Sequence, residues 1–240
     1  MTIQLRCDLH VHTRYSSDCV SRVKDVLLAA RRHGMDAVAI TDHEAIDGAL
    51  EALLLAPSGL IVVPGTEAFT TGGDLLALFV TEKIPSGLDP SEAVSLIHER
   101  GGLAVLPHPF DSRRRESMDP TAHGLEARID GVEVLNAGCK DPEANPRALA
   151  FAQQTGLRCF GGSDAHTLSS IGRACTLVEV SERPTDATGL KRALLTGNLA
   201  AEGGRFDRAQ RILEDTQKRV ADRRSAVLRT TFRMVDLFLS

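Results

Sequence analysis

The chain has 240 residues, of which 42% are hydrophobic and 25% are charged, as in one large globular domain or one domain with an appendage. It contains no Trp and one Tyr, which argues against a single-strand nucleic-acid binder that needs many aromatic stacking platforms. Its first residues show no basic stretch before an apolar run, and no apolar stretch approaches about 20 residues, so we predict neither a signal peptide nor a membrane span.

The charge of the chain is unevenly distributed. From Arg205 onward it has nine Lys and Arg against five Asp and Glu, whereas residues 1–204 carry 19 basic and 27 acidic residues. An acidic body suits a cation site and argues against gripping a long nucleic acid, which requires many Lys and Arg contacts to phosphates. The basic residues 205–240 keep binding of a long nucleic acid open as an alternative. The five cysteines form no Cys-x-x-Cys pair, which predicts reduced thiols and a cytoplasmic protein.

Apolar, strand-like runs alternate with helical patterns through most of the chain. Gly34 and Pro57 follow the first two predicted helices at positions where these residues end a helix, and Asp89 is a typical N-cap of the third. In chain order the prediction is strand 5–9, helix 22–33, strand 36–41, helix 46–56, strands 60–63 and 75–80, helix 90–100, strands 103–106 and 131–135, helix 143–155, strands 158–161 and 176–180, and helix 187–195.

This alternation predicts an α/β protein with a parallel sheet and crossover helices. Seven or eight such strands, with polar residues at their carboxyl ends, favour a closed barrel over an open sheet. In barrels of this kind the reactive groups gather at the rim where the strands end. We expect residues 1–204 to form the barrel.

Residues 205–240 form a second segment, predicted to be an amphipathic helix. Its apolar positions roughly follow the helical period of 3.6 residues, with Arg and Lys between them. The favoured interpretation is a terminal helix that covers the barrel, and the alternative is a helix for dimerisation or for another partner. The apolar positions are Ala209, Ile212, Leu213, Val220, Val227, Leu228, Phe232, Val235 and Phe238.

Five short motifs place a His or a carboxylate directly after an apolar, β-prone run. Imidazole and carboxylate are ligands of Zn, Mn and Fe, so their convergence would build a site for more than one ion. Strand side chains alternate between faces, so His10 and His12 point the same way, as do Asp164 and His166. The motifs are Asp8-Leu9-His10-Val11-His12, Thr41-Asp42-His43-Glu44, Gly65-Thr66-Glu67, Pro107-His108-Pro109-Phe110 and Gly162-Ser163-Asp164-Ala165-His166.

The ordered set of motifs resembles the signature of the PHP (polymerase and histidinol phosphatase) family over about residues 5–180. The resemblance implies a distorted (β/α)7 TIM-like barrel that holds two or three divalent metal ions, Mn²⁺, Zn²⁺ or Fe²⁺, and most often hydrolyses phosphate esters. Many members have a His where Asp74 stands. A carboxylate there either favours the harder Mn²⁺ over Zn²⁺ or leaves the second site weak.

Position by position, the resemblance implies three groups of metal ligands. Asp42 stands next to His43, and Asp8 stands two residues before His10. We predict that both face away from the ions and support imidazoles or cap strand ends. The groups are His10, His12, Glu67 and Asp164 for the first ion; Glu67 as a bridge, His108 and Asp74 for the second; and Asp18, His43 and His166 for the third. Three other histidines, His33, His98 and His123, are predicted to be ordinary hydrogen-bonded residues.

Arginines near the motifs are candidates for binding phosphate. Three of them follow the His108 motif directly, on the loop that leaves a predicted ligand strand, and the planar fork of Arg binds phosphate oxygens in pairs. A solvated charge run is the alternative for any one of the three. The predicted substrate-binding residues are Arg113, Arg114, Arg115 and Arg173, with Lys140 and Asn136 as weaker candidates.

The sequence predicts a metal-dependent phosphoesterase in which a metal-activated water attacks a small phosphorylated substrate, a nucleotide or the end of a short oligonucleotide. The predicted catalytic residues are Asp164, His166, His43 and Arg114. A serine hydrolase and an ATPase are excluded, because the chain has neither a Gly-x-Ser-x-Gly elbow nor a phosphate-binding P-loop.

Several alternatives stay open. The same ions would activate water against an amide or ester carbonyl. A non-catalytic metal-binding module that regulates a partner through the terminal helix is a second alternative, and the same helix could mediate homo-oligomerisation. Phosphotyrosine and histidinol phosphate are further substrates known in the family.

Overall fold

The computed structural model describes residues 2–122 and 124–239, and the side chains of residues 2–122 and 124–223. The prediction for His123 therefore lies outside the described residues. The same is true of the side chains of Val227 and of the apolar positions that follow it.

Nine strands and six α-helices make up the described part of the chain. Each predicted element is present, and most bounds agree within two residues, although the third strand runs on to Thr70. The sequence does not predict the last strand, because its partly exposed residues form no apolar run. The elements are β1 (Ile3–Val11), α1 (Val23–Arg32), β2 (Ala37–Ile40), α2 (Asp47–Leu55), β3 (Ile61–Thr70), β4 (Gly73–Leu78), α3 (Pro90–Glu99), β5 (Leu103–Leu106), β6 (Gly131–Asn136), α4 (Ala144–Thr155), β7 (Arg158–Gly162), β8 (Ala174–Val180), α5 (Ala187–Thr196), β9 (Asn198–Gly203) and α6 (Arg208–Leu239).

The helix ends follow local chemistry. α1 buries apolar residues at helical spacing against the sheet, among them Val23, Val26 and Leu27. Gly34 follows α1 with a φ of 75°, the left-handed conformation that glycine adopts without a steric cost. The Asp89 side chain accepts a hydrogen bond from Ser91 N at 2.8 Å and so caps α3, as predicted.

The strands form one sheet in the order β7-β6-β5-β4-β3-β2-β1-β8-β9. The predicted parallel pairing holds within β1–β2–β3 and within β5–β6–β7. It is wrong for β4 and β8, which pair antiparallel with both of their neighbours. For β4 the reason is the two-residue turn after β3, because so short a connection permits only antiparallel pairing.

The sheet curves until β7 lies beside β1 and β8. Gly161 N donates to Thr176 Oγ1 at 2.9 Å, and that hydroxyl donates back to Gly161 O at 3.0 Å. The strands come so close that a Cβ at position 161 would lie 2.5 Å from the Cys175 carbonyl oxygen, so only glycine fits. Beyond the strand ends, His12 N donates to Ala165 O at 3.0 Å. The sheet is a nearly closed barrel, which confirms the predicted α/β barrel class.

The first half of α6 lies against the barrel, and its apolar residues face away from it. Ile212, Leu213 and Val220 are 55%, 51% and 52% exposed, and Ala209 is exposed as well. The opposite face of the helix, which is polar, meets the barrel. The described part of the helix therefore lies on the barrel with Ile212, Leu213 and Val220 facing away from it. None of the helices in the described part of the chain combines the length and the apolarity that a bilayer crossing needs.

Candidate metal centre

The strand ends bring the predicted ligands to one rim of the barrel. Parallel strands carry their carboxyl ends to the same edge, so side chains that are distant in sequence converge there. All nine predicted ligands lie at this rim, and all except Asp18 and His43 are buried. They come from β1 (His10) and the segment after it (His12, Asp18), from the segment after β2 (His43), from β3 (Glu67) and β4 (Asp74), and from the segments after β5 (His108) and β7 (Asp164, His166).

The first predicted group is compact. His12 Nε2 lies 3.4 Å from Glu67 Oε2 and 3.3 Å from Asp164 Oδ1. His10 Nε2 lies 3.2 Å from the same Glu67 oxygen and 3.7 Å from Asp164 Oδ1. Ligand atoms at about 2.1 Å from one ion lie about 3.0 to 3.4 Å apart in tetrahedral or octahedral geometry. The four side chains therefore have the spacing of ligands around one cation.

Glu67 also belongs to the second predicted group through its other oxygen. Glu67 Oε1 lies 2.9 Å from His108 Nε2, while Oε2 faces the first group. Asp74 joins this region, since ligand atoms of His43, Glu67 and Asp74 all lie within 4.8 Å of one another. Burial, followed by the negative charge of Glu67, raises the pKa of Asp74 to about 8. Its position suits a carboxylate that ionises when a nearby cation compensates its charge.

The third predicted group shares a single carboxylate. Asp18 Oδ2 lies 3.0 Å from His166 Nε2 and 3.6 Å from His43 Nε2. The other nitrogen of His43, Nδ1, lies 3.1 Å from Glu67 Oε2 and so connects this group to the first two. Together the three groups form one continuous cluster.

Several polar atoms of this cluster are buried without a hydrogen bond. Among the described residues, His12 Nε2, His166 Nε2 and Asp164 Oδ1 find no partner with hydrogen-bonding geometry. Burying such groups unpaired costs free energy, on the order of 1–3 kcal/mol each. Cations held between them would satisfy these atoms, so the residues present fit a polynuclear metal centre.

The second nitrogen of the imidazoles supports the same conclusion. His10 Nδ1 lies 3.2 Å from Glu133 Oε1, and His12 Nδ1 lies 2.9 Å from Ser16 Oγ. His166 Nδ1 lies 3.1 Å from the Asp164 carbonyl oxygen. When Nδ1 donates to a protein acceptor, the neutral imidazole presents the lone pair of Nε2, which is the form that binds a metal.

Electrostatic effects favour the ionised form of two carboxylates of the centre, Glu67 and Asp164. Burial opposes ionisation of Glu67, but the positive charges of His10 and His43 hold the pKa of its carboxyl well below the usual value. Burial likewise opposes ionisation of Asp164, and Arg114 and then His10 lower its pKa well below the usual range. For His12 burial dominates and lowers the pKa, which favours the neutral, metal-binding ring.

Glu133 is a residue of this centre that sequence analysis missed. It is buried in β6 and accepts from His108 N at 2.8 Å and from Asn136 Nδ2 at 2.7 Å, in addition to its contact with His10. It thereby orients two predicted ligands at once. The sequence did contain a signal for this role: Glu133 interrupts the apolar run of β6, and the strands on both sides of β6 lead into ligand motifs.

Asp8 and Asp42 support the centre without facing it, as predicted. Asp42 accepts from Thr13 N, Thr13 Oγ1 and Ser16 Oγ, and Ser16 in turn holds His12. Asp8 accepts from Ser163 N at 3.0 Å and from Ser163 Oγ at 2.6 Å, which fixes the segment before Asp164.

Two predicted ligands have a strained backbone. His108 has a φ of 31° and Asp164 a φ of 54°, in the left-handed region that side chains other than Gly rarely adopt. Such conformations cost about 1–3 kcal/mol each and persist where surrounding contacts hold them. Here Glu133 holds His108 N, and His10 O accepts from Asp164 N at 2.8 Å.

The cluster lies beside a cavity of about 340 Å³ that opens at the rim. Its acidic side is formed by predicted ligands, and four cations line other parts of the wall. The cations are Arg114, Lys140, Arg211 and Lys218.

Of the four predicted phosphate-binding arginines, the structure brings only Arg114 to this cavity. Its guanidinium forms an ion pair with Asp164, and its Nε lies 3.5 Å from Asp111 Oδ2. Arg113 and Arg115 are exposed and do not line the cavity. Arg173 is turned towards α6, where it donates to Gln210 at 2.7 Å. Lys140, a weaker candidate, does line the cavity.

Two family models match parts of the chain. The PHP domain matches residues 8–69, a range that includes five of the nine predicted ligands. A PHP-associated model matches residues 142–199, which include Asp164 and His166. His108 and Asp74 fall between the two matched ranges.

Two relatives illustrate the similarity in sequence. An uncharacterized protein of Methanocaldococcus jannaschii is 39% identical over 156 residues, which are 60% of this chain and 90% of the relative. A probable phosphatase of Shewanella sp. strain MR-4 is 25% identical over 236 residues, which are 84% of this chain and 94% of the relative.

Solved structures share the fold. A two-domain protein of Bacteroides vulgatus that contains a predicted PHP-like metal-dependent phosphoesterase superposes with a TM-score of 0.69 at 21% identity, over 90% of this chain and 70% of the other. The lesion-specific endonuclease Q of Pyrococcus furiosus superposes with a TM-score of 0.62 at 18% identity, over 83% of this chain and 58% of the other. With the matches in sequence and the ordered ligand motifs, these findings place the chain in the PHP family of metal-dependent phosphoesterases.

Proposed function

We propose that this protein hydrolyses phosphate esters at the metal centre. The observation that carries the proposal is the cavity itself, which has predicted ligands of two or three divalent ions on one side and the guanidinium of Arg114 on another. Carboxylates and imidazoles bind cations, and an arginine beside them suits the anionic oxygens of a phosphate. The relative named a probable phosphatase supports the same reaction class.

The three ligand groups defined above would hold the ions. Bound there, divalent ions lower the pKa of a water towards neutrality and neutralise charge that develops on phosphate. Arg114 would bind non-bridging phosphate oxygens, because its fork can pair with two of them. Asp164 holds Arg114 and so aligns it with the centre. When only the first two groups hold ions, His43, whose side chain is 29% exposed, is accessible enough to protonate a leaving group, and His166 is the buried alternative.

A nucleotide, or the end of a short oligonucleotide, is the proposed substrate. A cavity of about 340 Å³ suits a small ligand. The half-exposed ring of Phe69 lines it beside Glu67 and Asp74, where a base could stack. The acidic charge of residues 1–204 disfavours a long duplex.

Cleavage within nucleic acid is the second candidate function. It is favoured by the shared fold with an endonuclease, although this chain spans only 58% of that protein. Metal-dependent ester or amide hydrolysis is the third, because the same ions would activate water against a carbonyl.

A substrate panel tests the proposal. We expect the Mn²⁺- or Zn²⁺-loaded protein to release p-nitrophenol from p-nitrophenyl phosphate, and a chelator to abolish the release. Bis-p-nitrophenyl phosphate, p-nitrophenyl acetate and an abasic-site duplex serve as comparisons. Turnover of the acetate without either phosphate ester would contradict a phosphoesterase, and cleavage of the duplex alone would favour the endonuclease.

Gly138 provides a test of the cavity geometry. A Cβ at this position would lie 2.7 Å from Arg114 Nη2 and 2.8 Å from Asp164 Oδ2, so Gly138→Ala should displace the pair. A misplacement of about 1 Å at a reacting centre can cost on the order of a hundredfold, and we expect kcat/KM for p-nitrophenyl phosphate to fall by about that much.

The matched control for this substitution is Gly204→Ala. A Cβ at position 204 meets no atom within 4 Å, so the control should keep wild-type kcat/KM. Equal kcat/KM for Gly138→Ala and Gly204→Ala would show that catalysis does not depend on the present position of the Arg114–Asp164 pair.

A further inference from the structure

The face of α6 that meets the rim carries charged residues at helical spacing. Arg211, Glu214, Asp215 and Lys218 line the cavity, and they stand three, four and seven residues along the helix from the first of them. Residues at these intervals lie on one side of a helix. The apolar positions Ile212, Leu213 and Val220 lie on the other side and are exposed. α6 therefore supplies one wall of the cavity.

Two residues anchor this wall to the segment that carries His166. The buried carboxylate of Glu214 accepts from His166 N at 3.0 Å, from Thr167 N at 3.1 Å and from Thr167 Oγ1 at 2.7 Å. The amide of Gln217 donates to the His166 carbonyl oxygen. α6 therefore hydrogen-bonds both the backbone N–H and the backbone carbonyl of His166, a predicted metal ligand. These bonds fix the position of the helix relative to the metal centre.

Anchored in this way, α6 holds Lys218 beside the cluster. Lys218 Nζ lies 3.1 Å from Asp18 Oδ2, and the side chain remains 33% exposed. On another part of the wall Arg114 pairs with Asp164. Each of the two cations is thus paired with a carboxylate that is also a predicted metal ligand. A carboxylate that serves a divalent cation attracts a neighbouring ammonium or guanidinium less, which leaves both cations able to bind an anion.

We propose that Lys218 is a substrate-binding residue that, together with Arg114, clamps the phosphate and favours a terminal phosphomonoester over a phosphodiester. The inference rests on the proposed function, since it deepens the substrate class of the same site. A monoester phosphate carries up to two negative charges and three non-bridging oxygens, whereas a diester carries one charge and two such oxygens. A second cation therefore contributes more to monoester binding.

Lys218→Ala tests the inference. We expect KM for p-nitrophenyl phosphate, and Kd for inorganic phosphate measured by calorimetry on the Mn²⁺-loaded protein, to rise about tenfold, as for loss of one partly exposed charged hydrogen bond. For bis-p-nitrophenyl phosphate we expect a smaller change. Lys218→Arg should restore most of the phosphate affinity, and metal content should equal that of the wild type. Arg219→Ala removes the next side chain on the exposed part of the helix and should change neither constant.

The outcomes separate the two proposals. If no phosphate ester is turned over but Lys218→Ala still weakens binding of inorganic phosphate, the proposed function is wrong and the phosphate-binding role of Lys218 stands. If the wild type turns over p-nitrophenyl phosphate while Lys218→Ala leaves KM and phosphate Kd unchanged, the role of Lys218 is refuted. An equal rise in KM for monoester and diester would refute the selectivity.

Discussion

Glu67→Gln should reduce kcat for p-nitrophenyl phosphate by at least about a thousandfold and release at least one bound metal ion. Its two carboxylate oxygens lie 2.9–3.4 Å from nitrogens of four imidazoles, and one amide group cannot serve two cations. Divalent ions contribute several kcal/mol to such reactions, and about 1.4 kcal/mol corresponds to tenfold in rate. The measurements are kcat on purified protein and metal content by mass spectrometry.

The control for this prediction is Glu51→Gln. Glu51 lies on α2 and forms an ion pair with Arg14 at 2.9 Å, outside the cluster. The control should keep its metal and its turnover. Full metal content together with wild-type kcat in Glu67→Gln would contradict the bridging role.

Glu133→Ala should weaken metal binding by about 10–100-fold and lower the thermal unfolding midpoint. It would leave two buried donors, His10 Nδ1 and His108 N, without their acceptor, and would leave Asn136 Nδ2 with only its longer contact to Asp164 Oδ2 at 3.4 Å. Loss of a carboxylate that orients a metal-binding His typically has this effect on affinity. Unpaired donors cost about 1–3 kcal/mol each, so a total of roughly 3 kcal/mol would lower the midpoint by about 6–12 °C in a protein of this size.

Glu133→Gln keeps the volume and one acceptor oxygen, so its midpoint should lie between those of the wild type and Glu133→Ala. Glu179→Ala replaces an exposed strand Glu that pairs only with Asn198 at 3.2 Å among the described contacts, and it should change neither quantity. Metal titration followed by calorimetry and thermal unfolding measures both effects. Wild-type metal affinity in Glu133→Ala would mean that His10 and His108 hold their orientation without it.

Much of the fold was predictable because its signals are local. Strands and helices show in the period of apolar residues, and Gly34 and Asp89 mark helix ends through their own backbone and side-chain chemistry. Whether a strand pairs parallel or antiparallel with its neighbours was harder to predict from the sequence. The antiparallel pairing of β8 with β1 joins segments that are distant in sequence. For β4 the two-residue turn after β3 decides the direction, and the predicted strand bounds 60–63 and 75–80 did not show that turn.

The ligand set was predictable for a related reason. Each motif stands at or near a strand end, and a barrel collects strand ends at one rim, so His10, Glu67 and Asp164 were expected to meet. Which of the neighbouring arginines reaches the rim was not predictable. Arg113, Arg114 and Arg115 are chemically identical, and only the path of the loop held by Asp111 selects Arg114.

By itself, the sequence determined the α/β barrel class, the family and the meeting of the nine predicted ligands, because periodicity and strand-end position are properties of short segments. The tertiary structure alone decided the environment of the cluster. Glu133 became an orienting carboxylate because β6 is a neighbour of β5 and β7 in the sheet. The first half of α6 turns its polar face inward because the rim offers backbone N–H groups at His166 and Thr167 that the Glu214 carboxylate satisfies, and an apolar face cannot accept those hydrogen bonds.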